Sequence, residues 1–210
     1  MHASAFHYRE YCCDRPDLID RMIEHYPLAL VNSEQQRQLH ASHIPLFRAA
    51  DRTLFGHVDR RNPQFQNQRS FRARLAFIGP QRYIPPEAYR SRLLPTWNYV
   101  AVHMEATIEV LDDPEAILIA LRDTCDRLQP RQASFQFDAD DTRVIASLPH
   151  LLALRVRTSY EEGRFKLSQD KGDADRNGAL SHLLKRDESE ERDLLHALMN
   201  FSTVQQPTDE

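Results

Sequence analysis

Two segments of this chain alternate apolar and polar residues with the period of a β-strand. Residues 71–78 read FRARLAFI, and residues 97–111 contain the run VAVHMEATIEVL, which is rich in β-branched residues. Alternation of period two places one set of side chains in a core and the other in solvent, as in a half-buried antiparallel strand. The chain is therefore predicted to fold around an antiparallel sheet with one covered face.

Shorter apolar runs on either side predict further strands, with helices at the margins. Strands are predicted at 28–33, 53–59, 71–78, 97–111, 152–158 and 164–168. A further strand is predicted between the polar turn at 34–38 and residue 45. Helices are predicted at 17–25, 115–128 and 177–200. Prolines at 80, 85 and 86 are expected to end the strand of 71–78 in a loop, and 129–142 is expected to be a polar loop.

Short antiparallel strands at even spacing indicate an α+β chain built on a small closed barrel. Because 210 residues with 41% hydrophobic content suit one core, we expect a single domain over 1–210. An amphipathic C-terminal helix is expected at 177–200. A disordered tail is expected at 202–210.

Charge and cysteine content exclude several classes of protein. The net charge of −4 offers no general attraction for nucleic acid, so we expect no direct DNA binding. No apolar run approaches the roughly 20 residues that span a bilayer, and the first residues have no apolar signal segment. Three cysteines without metal-binding spacing favour reduced thiols. We therefore expect a cytoplasmic protein without a membrane anchor.

Five separated motifs carry polar and aromatic residues at the ends of apolar runs, where rigid strands can hold a ligand. They read HASHIPL (40–46), LFGHVDRRNPQF (54–65), FIGPQRYIPPEAY (77–89), PTWNYVAVH (95–103) and FKLSQDKGDADR (165–176). Together they resemble the PaiB-type FMN-binding negative transcriptional regulator family over roughly residues 6 to 185. The resemblance implies a split β-barrel related to flavin oxidases, and a homodimer that places a planar cofactor near the subunit interface.

Some motifs depart from the flavin-type pattern of that family. IPPEAY stands at 84–89 where ISPSWY is expected, and KLSQD stands at 166–170 where KLSQN is expected. These departures are compatible with a branch of the family that resembles heme enzymes, the piperazate synthases. Such enzymes close N-hydroxyornithine into a ring by forming an N–N bond. A similar heme-binding relative acts in the N-hydroxylation of arginine.

Three histidines are candidates for binding a cofactor or substrate. His57 follows Gly56 at the end of an apolar strand, and a glycine there allows a flat ring to approach the backbone. A neutral imidazole is a common axial ligand of heme iron, so the resemblance makes His57 the candidate ligand; the alternative is a buried His bonded to a backbone carbonyl. His43, two residues before Pro45, is expected to have a structural or substrate-facing role. His43 and His103 are the alternatives to His57 as the iron ligand.

Several other residues could contact an acidic, planar cofactor. Arg60, Asn62 and Arg72 suit heme propionates or the phosphate of FMN, because guanidinium groups bind both bidentately. Trp97 either stacks on a flat ring or anchors the core. Lys166 and Ser168 are predicted to share one face of a strand, where Lys166 could bind a cofactor acid or act as a base.

The leading hypothesis is a homodimeric split barrel that binds heme b and acts on an N-hydroxylated amino acid. In the piperazate synthase interpretation, iron is a Lewis acid, His57 holds it, Arg60 pairs with a propionate, and Lys166 or His43 moves protons. The alternatives are a heme-dependent amino-acid N-oxygenase and an FMN-binding regulator. A barrel without a cofactor that serves as an interaction module is a further alternative.

Overall fold

The computed structural model describes residues 8–129 and 135–185 of the chain. Its strands are β1 (Cys12–Cys13), β2 (Leu28–Gln35), β3 (Gln38–Pro45), β4 (Phe47–Arg48), β5 (Leu54–Asp59), β6 (Ser70–Ile84), β7 (Thr96–Leu111) and β8 (Leu151–Lys166). Its helices are α1 (Pro16–His25), α2 (Pro114–Leu128), α3 (Thr142–Ser147) and α4 (Asp173–Leu183). Short 3-10 turns lie at Arg9–Tyr11, Pro86–Ala88 and Leu148–His150.

The eight strands form one antiparallel sheet in the order β3-β2-β6-β7-β8-β5-β4, with β1 paired to β8. Leu46 alone separates β3 from β4 along the chain, so the two edges of the sheet meet. Helix α2 packs against β5 and β8, and α4 packs against β6. The predicted α+β class is confirmed.

Alternate side chains of the long strands fill the interior of the curved sheet. This core contains buried residues from six strands, among them Val31, Leu54, Phe77, Met104, Ile108 and Leu154. Phe65, from the loop after β5, is also fully buried, and its ring centroid lies 5.6 Å from that of Phe71. The motif NPQF therefore begins as an exposed turn and ends as part of the core.

Strand β6 is longer than the sequence predicts. The strand runs through Pro80 as far as Ile84, whereas we expected a loop after residue 78. A register shift against β7 between Ile78 and Gln81 accommodates the proline, which has no N–H to donate to the ladder. The prediction that Pro80 ends the strand is wrong for this reason.

Strand β8 is continuous, whereas the sequence predicts two strands separated by a polar break. The polar residues of the predicted break lie within the strand because their charges are paired. Glu161 accepts hydrogen bonds from Arg48 at 2.8 and 2.9 Å, and Glu162 accepts one from Arg164 at 2.9 Å. Partners on distant elements are invisible to a local pattern, and this explains the error.

The helices largely follow the prediction. Helices α1 and α2 lie where expected, and the carboxylate of Asp113 caps α2 by accepting from the N–H of Ala116 at 2.9 Å. Helix α3 begins at Thr142, the last residue of the predicted loop 129–142, and runs to Ser147 with Asp141 as its cap, in a stretch for which we predicted no helix. Helix α4 begins at Asp173, four residues before the predicted start, and acidic residues in its first turn favour that position.

The remainder of the predicted helix 177–200 beyond residue 185, and the predicted tail 202–210, lie outside the described residues. Over the described ranges, none of the helices combines the length and the apolar content needed to cross a bilayer. The cytoplasmic location stays a prediction.

Candidate functional site

One group of candidate residues lies along the line where β3 and β4 meet β5, which we call the seam. His57 is on the outer face of β5, since its neighbours Gly56 and Val58 point into the barrel. His43 is exposed on β3. The side-chain amide of Asn62 donates to the Ser42 hydroxyl at 3.0 Å, which ties the loop after β5 to β3.

His57 has the most unusual surroundings in the seam. Its side chain is half-buried, and its Nδ1 atom is buried without a hydrogen-bond partner among residues 8–129 and 135–185. Burial lowers the pKa of the imidazole, so the ring is neutral at pH 7. A buried polar atom without a partner costs about 1–3 kcal/mol and calls for an explanation. A neutral imidazole with an unused nitrogen suits a metal ion or a hydrogen-bonding ligand.

Gly56 allows a close approach of another part of this chain to its backbone. A Cβ atom at Gly56 would lie 2.6 Å from the carbonyl oxygen of Pro45 and 2.9 Å from the Leu46 side chain. These atoms belong to the β3–β4 connection and approach from inside the barrel, on the face opposite to His57. The glycine therefore serves the closure of the sheet, and the approach of a flat ring on the His57 side stays a prediction.

The lowered pKa of His57 predicts a dependence of stability on pH. Between the folded pKa and about 6.5, the unfolded chain binds a proton that the folded chain does not. The contribution of His57 to the free energy of unfolding should therefore be complete above about pH 6.5. It should fall as the pH drops from about 6.5 towards the folded pKa, by up to about 1.4 kcal/mol per pH unit. We expect the loss from pH 7 to 5 to be steeper in the native chain than in His57→Gln, measured by urea denaturation. Parallel curves would contradict this.

The polar residues after His57 are engaged within the chain. The guanidinium of Arg60 donates to a carboxylate oxygen of Asp112, to the Pro149 carbonyl at 2.9 Å and to the Leu151 carbonyl at 3.0 Å. This arrangement favours a structural role for Arg60, at the start of α2 and β8, over the predicted contact with an acidic cofactor. Asn62 likewise shapes its own turn, since its side-chain oxygen accepts from the N–H of Gln64 at 3.0 Å.

A second group of candidate residues surrounds a cavity of about 420 Å³ at the far end of β7 and β8, which we call the cleft. Its lining residues are Tyr11, Tyr89, Arg92, Leu93, Leu94, Pro95, Thr96, Lys166, Ser168, Asp170 and Lys171. Lys166 and Ser168 both line it, although they do not share a strand face as predicted. Strand β8 ends at Lys166, and Ser168 adopts a left-handed conformation with φ 62° in the following turn.

Trp97 and Arg72 lie on the outer face of the sheet rather than in either group. Trp97 is 50% exposed, and its Nε1 donates to the side-chain oxygen of Gln81 at 3.2 Å, so it does not anchor the core. The side chain of Arg72 is 86% exposed and reaches Glu105 only at 3.9 Å. A hollow of about 650 Å³ beside Arg72 is also lined by residues of β2 and β3.

The seam and the cleft do not meet within one chain. His57 pairs with Ala153 near the start of β8, whereas Lys166 ends the same strand and pairs with Tyr99. Thirteen residues of extended strand correspond to roughly 40 Å along β8. One ligand on one chain therefore does not contact both His57 and Lys166.

Sequence reasoning missed several residues that build the cleft. Arg92 lies in a stretch that we assigned to a loop, where no pattern marks it, whereas Tyr89 ends the motif FIGPQRYIPPEAY and could have been selected with it. Lys171 and Asp175 belong to the motif FKLSQDKGDADR and could have been selected with it. Asn98, buried beneath Ser168, belongs to the motif PTWNYVAVH and could have been found in the same way.

Comparison with known proteins supports the family resemblance. A protein of Bacillus subtilis (strain 168), the "Protease synthase and sporulation protein PAI 2", is 28% identical over 163 residues, covering 73% of this chain and 76% of that protein. An uncharacterized protein of Emericella nidulans is 24% identical, covering 78% of this chain and 84% of the relative. Both matches extend over most of each chain.

Solved structures share the fold. The flavocytochrome Anf3 from Azotobacter vinelandii superposes with a TM-score of 0.64 at 13% identity, covering 82% of this chain and 77% of its own. The FAD and heme binding protein from Mycobacterium smegmatis superposes with a TM-score of 0.61 at 19% identity, covering 79% and 78%. These similarities bear out the predicted split barrel. The model of the "Putative FMN-binding domain" family matches residues 6–159, and the chain therefore belongs to that family.

Proposed function

We propose that this protein is a homodimeric heme enzyme in which His57 binds the iron. The observation that carries the proposal is the His57 imidazole, which is half-buried, neutral and, in the part of the chain that the structure describes, without a hydrogen-bond partner at Nδ1. An imidazole in this state can offer a nitrogen lone pair to iron without first losing a proton. The folds of a flavocytochrome and of a FAD and heme binding protein are compatible with such a group.

The substrate that we propose is an N-hydroxylated amino acid such as N-hydroxyornithine. Bound heme iron would supply a Lewis acid that activates the N–O bond. Ring closure forms an N–N bond, breaks the N–O bond and releases water. The attacking amine must therefore lose a proton, and the departing hydroxyl must gain one. Lys166, whose Nζ donates to the Thr96 hydroxyl at 2.5 Å, and the exposed His43 are the groups that we assign to these transfers.

The same proposal requires a second copy of the chain. The outer face of β2, β3 and β6 exposes Leu28, Leu39 and Ile78, whose exposed fractions are 54%, 86% and 46%. Leu28 and Ile78 lie at the same end of this face, on the paired strands β2 and β6, and exposed apolar side chains that lie together are typical of an association surface. Two copies that join through this face could bring the seam of one chain to the cleft of its partner, which one chain cannot do for itself.

Light scattering on the purified protein tests this association. We expect the mass of two chains for the native protein and of one chain for Ile78→Asp, because a buried carboxylate without a partner opposes the contact. Leu184→Asp, at an exposed residue just after α4, is the matched control and should stay dimeric. A native protein with the mass of one chain would contradict the proposal.

The second candidate function is an FMN-binding regulator, as the family description and the PAI 2 relative suggest. The specific observation in its favour is Arg72, whose exposed guanidinium beside the hollow on the sheet face could bind a phosphate. In this alternative, the flavin would occupy the hollow. An amino-acid N-oxygenase would use the heme site with dioxygen and electrons.

The visible spectrum of protein expressed with ample iron and heme precursor separates the two cofactors. A Soret band would select the heme enzyme and justify assays with N-hydroxyornithine. The absorption bands of an oxidised flavin would select FMN and contradict the heme proposal.

A further inference from the structure

We propose that the cleft binds the carboxylate of a small α-amino acid. Three cationic side chains line the cleft, Arg92, Lys166 and Lys171, against the single carboxylate of Asp170. This local excess of positive charge occurs in a chain whose net charge is −4. A concave site lined by one sign of charge attracts small ions of the opposite sign.

Two of the three cations have no acidic partner. Lys171 pairs with Asp170 at 2.7 Å. Within residues 8–129 and 135–185, neither Lys166 nor Arg92 forms an ion pair, and Lys166 donates only to the neutral hydroxyl of Thr96. Lys166 is half-buried, and a half-buried cation gains more from an anionic ligand than a fully solvated one does. Both line the same cleft, so both are available to an anion that enters it.

The floor of the cleft is formed by buried polar side chains that contact one another. Ser168 is only 3% exposed, and its hydroxyl accepts from the Asn98 side-chain amide at 3.0 Å and lies 3.4 Å from the Tyr89 hydroxyl. Its backbone has φ 62°, a conformation that costs a non-glycine residue about 1 kcal/mol or more. A strained residue held by buried polar contacts is typical of a ligand site.

Asp175 of α4 fixes one wall of the cleft against the other. Its buried carboxylate accepts from the backbone N–H groups of Arg90 at 2.6 Å and Ser91 at 2.9 Å. These bonds hold the pKa of the Asp175 carboxyl below its usual range. Because α4 begins two residues after Lys171, the two hydrogen bonds accepted by Asp175 join the segment that carries Arg92 to the segment that carries Lys171. The backbone segments that carry the two cations are therefore joined before a ligand arrives.

The arrangement suits a zwitterion better than a phosphate. Asp170 lies among the cations and would repel a dianion, whereas its carboxylate can pair with an α-ammonium group. An α-amino acid carries both charges on one carbon. That this ligand is the substrate rests on the proposed function, but the anion site itself does not.

Calorimetric titration of the purified holoprotein with L-ornithine, which lacks the reactive hydroxyl, tests the inference. We expect Lys166→Met and Arg92→Gln each to weaken L-ornithine binding by about tenfold or more, since each removes a charged hydrogen bond. Lys166→Arg should retain most of the affinity. Arg143→Gln, an exposed arginine on α3 that pairs with Asp141, is the control and should stay within about twofold. Putrescine, which is ornithine without its carboxylate, should bind at least about tenfold more weakly.

Several results would overturn the inference: unchanged affinity in Lys166→Met and Arg92→Gln, equal binding of putrescine, no measurable heat with L-ornithine, or preferential binding of inorganic phosphate. This test and the test of the proposed function can fail independently of each other. If the protein has a Soret band but binds L-ornithine equally well after either substitution, only the proposed amino-acid site in the cleft is refuted. A protein without heme that binds L-ornithine through Arg92 and Lys166 would refute only the heme proposal.

Discussion

His57→Ala is expected to abolish the Soret band of protein purified from cells supplied with iron and heme precursor. Removing the imidazole removes the only iron ligand that we assign in the seam. We expect the heme content per chain to fall by at least about tenfold. Absorption spectra and a pyridine hemochrome assay at equal protein concentration measure the loss.

Two controls separate loss of the ligand from loss of the fold. His25→Ala removes an exposed imidazole at the end of α1 and should leave the heme content unchanged. External imidazole should restore part of the Soret band to His57→Ala, because it can occupy the space of the missing ring. A His57→Ala protein with the native heme content would contradict the assignment of His57 as the iron ligand. His43 and His103 would then be the candidate ligands.

Phe65→Ala should produce the largest loss of stability among single substitutions near the seam. Phe65 is fully buried in the main core and contacts Phe71, so truncation leaves a cavity where the loop after β5 is anchored. Losses of about 3–5 kcal/mol are typical for such changes, with a drop in melting temperature on the order of 10 °C. Urea denaturation followed by circular dichroism, with a parallel thermal melt, measures both quantities.

The matched control for this substitution is Leu39→Ala, which also removes a large apolar side chain but from a residue that is 86% exposed. Its effect on the free energy of unfolding of the monomeric chain should lie within about 0.5 kcal/mol. Equal effects of the two substitutions would mean that Phe65 does not anchor the loop. The Ile78→Asp background keeps association out of the comparison.

Local patterns were sufficient for most of the fold. Alternation identified the inner and outer faces of β6 and β7, and the Asp-Pro pair at 113–114 identified the start of α2, because each signal depends on neighbouring residues alone. The errors at the end of β6 and in the middle of β8 depend on distant contacts. A bulge absorbs Pro80, and Arg48 neutralises Glu161 across 113 positions of sequence.

The candidate site was predictable only in part. The motifs selected His57, Lys166 and Ser168, but their separation along β8 follows from the register of the sheet, which no motif encodes. Arg60 matched the chemistry of an acidic cofactor equally well in sequence, yet its guanidinium is occupied by Asp112 and two carbonyl groups. Sequence supplies the functional groups, whereas the fold decides which of them remain available.

The span of β8 has a consequence for a dimer assembled as proposed. Each copy would give His57 to one active site and Lys166 to the other, so a single rigid strand would connect the two sites of the assembly. Filling the cleft at one end of β8 would then bear on Ala153 near its other end, the residue that pairs with His57 of β5. Cooperativity between the two halves of the dimer would be a property of the backbone itself, independent of any mobile lid or hinge.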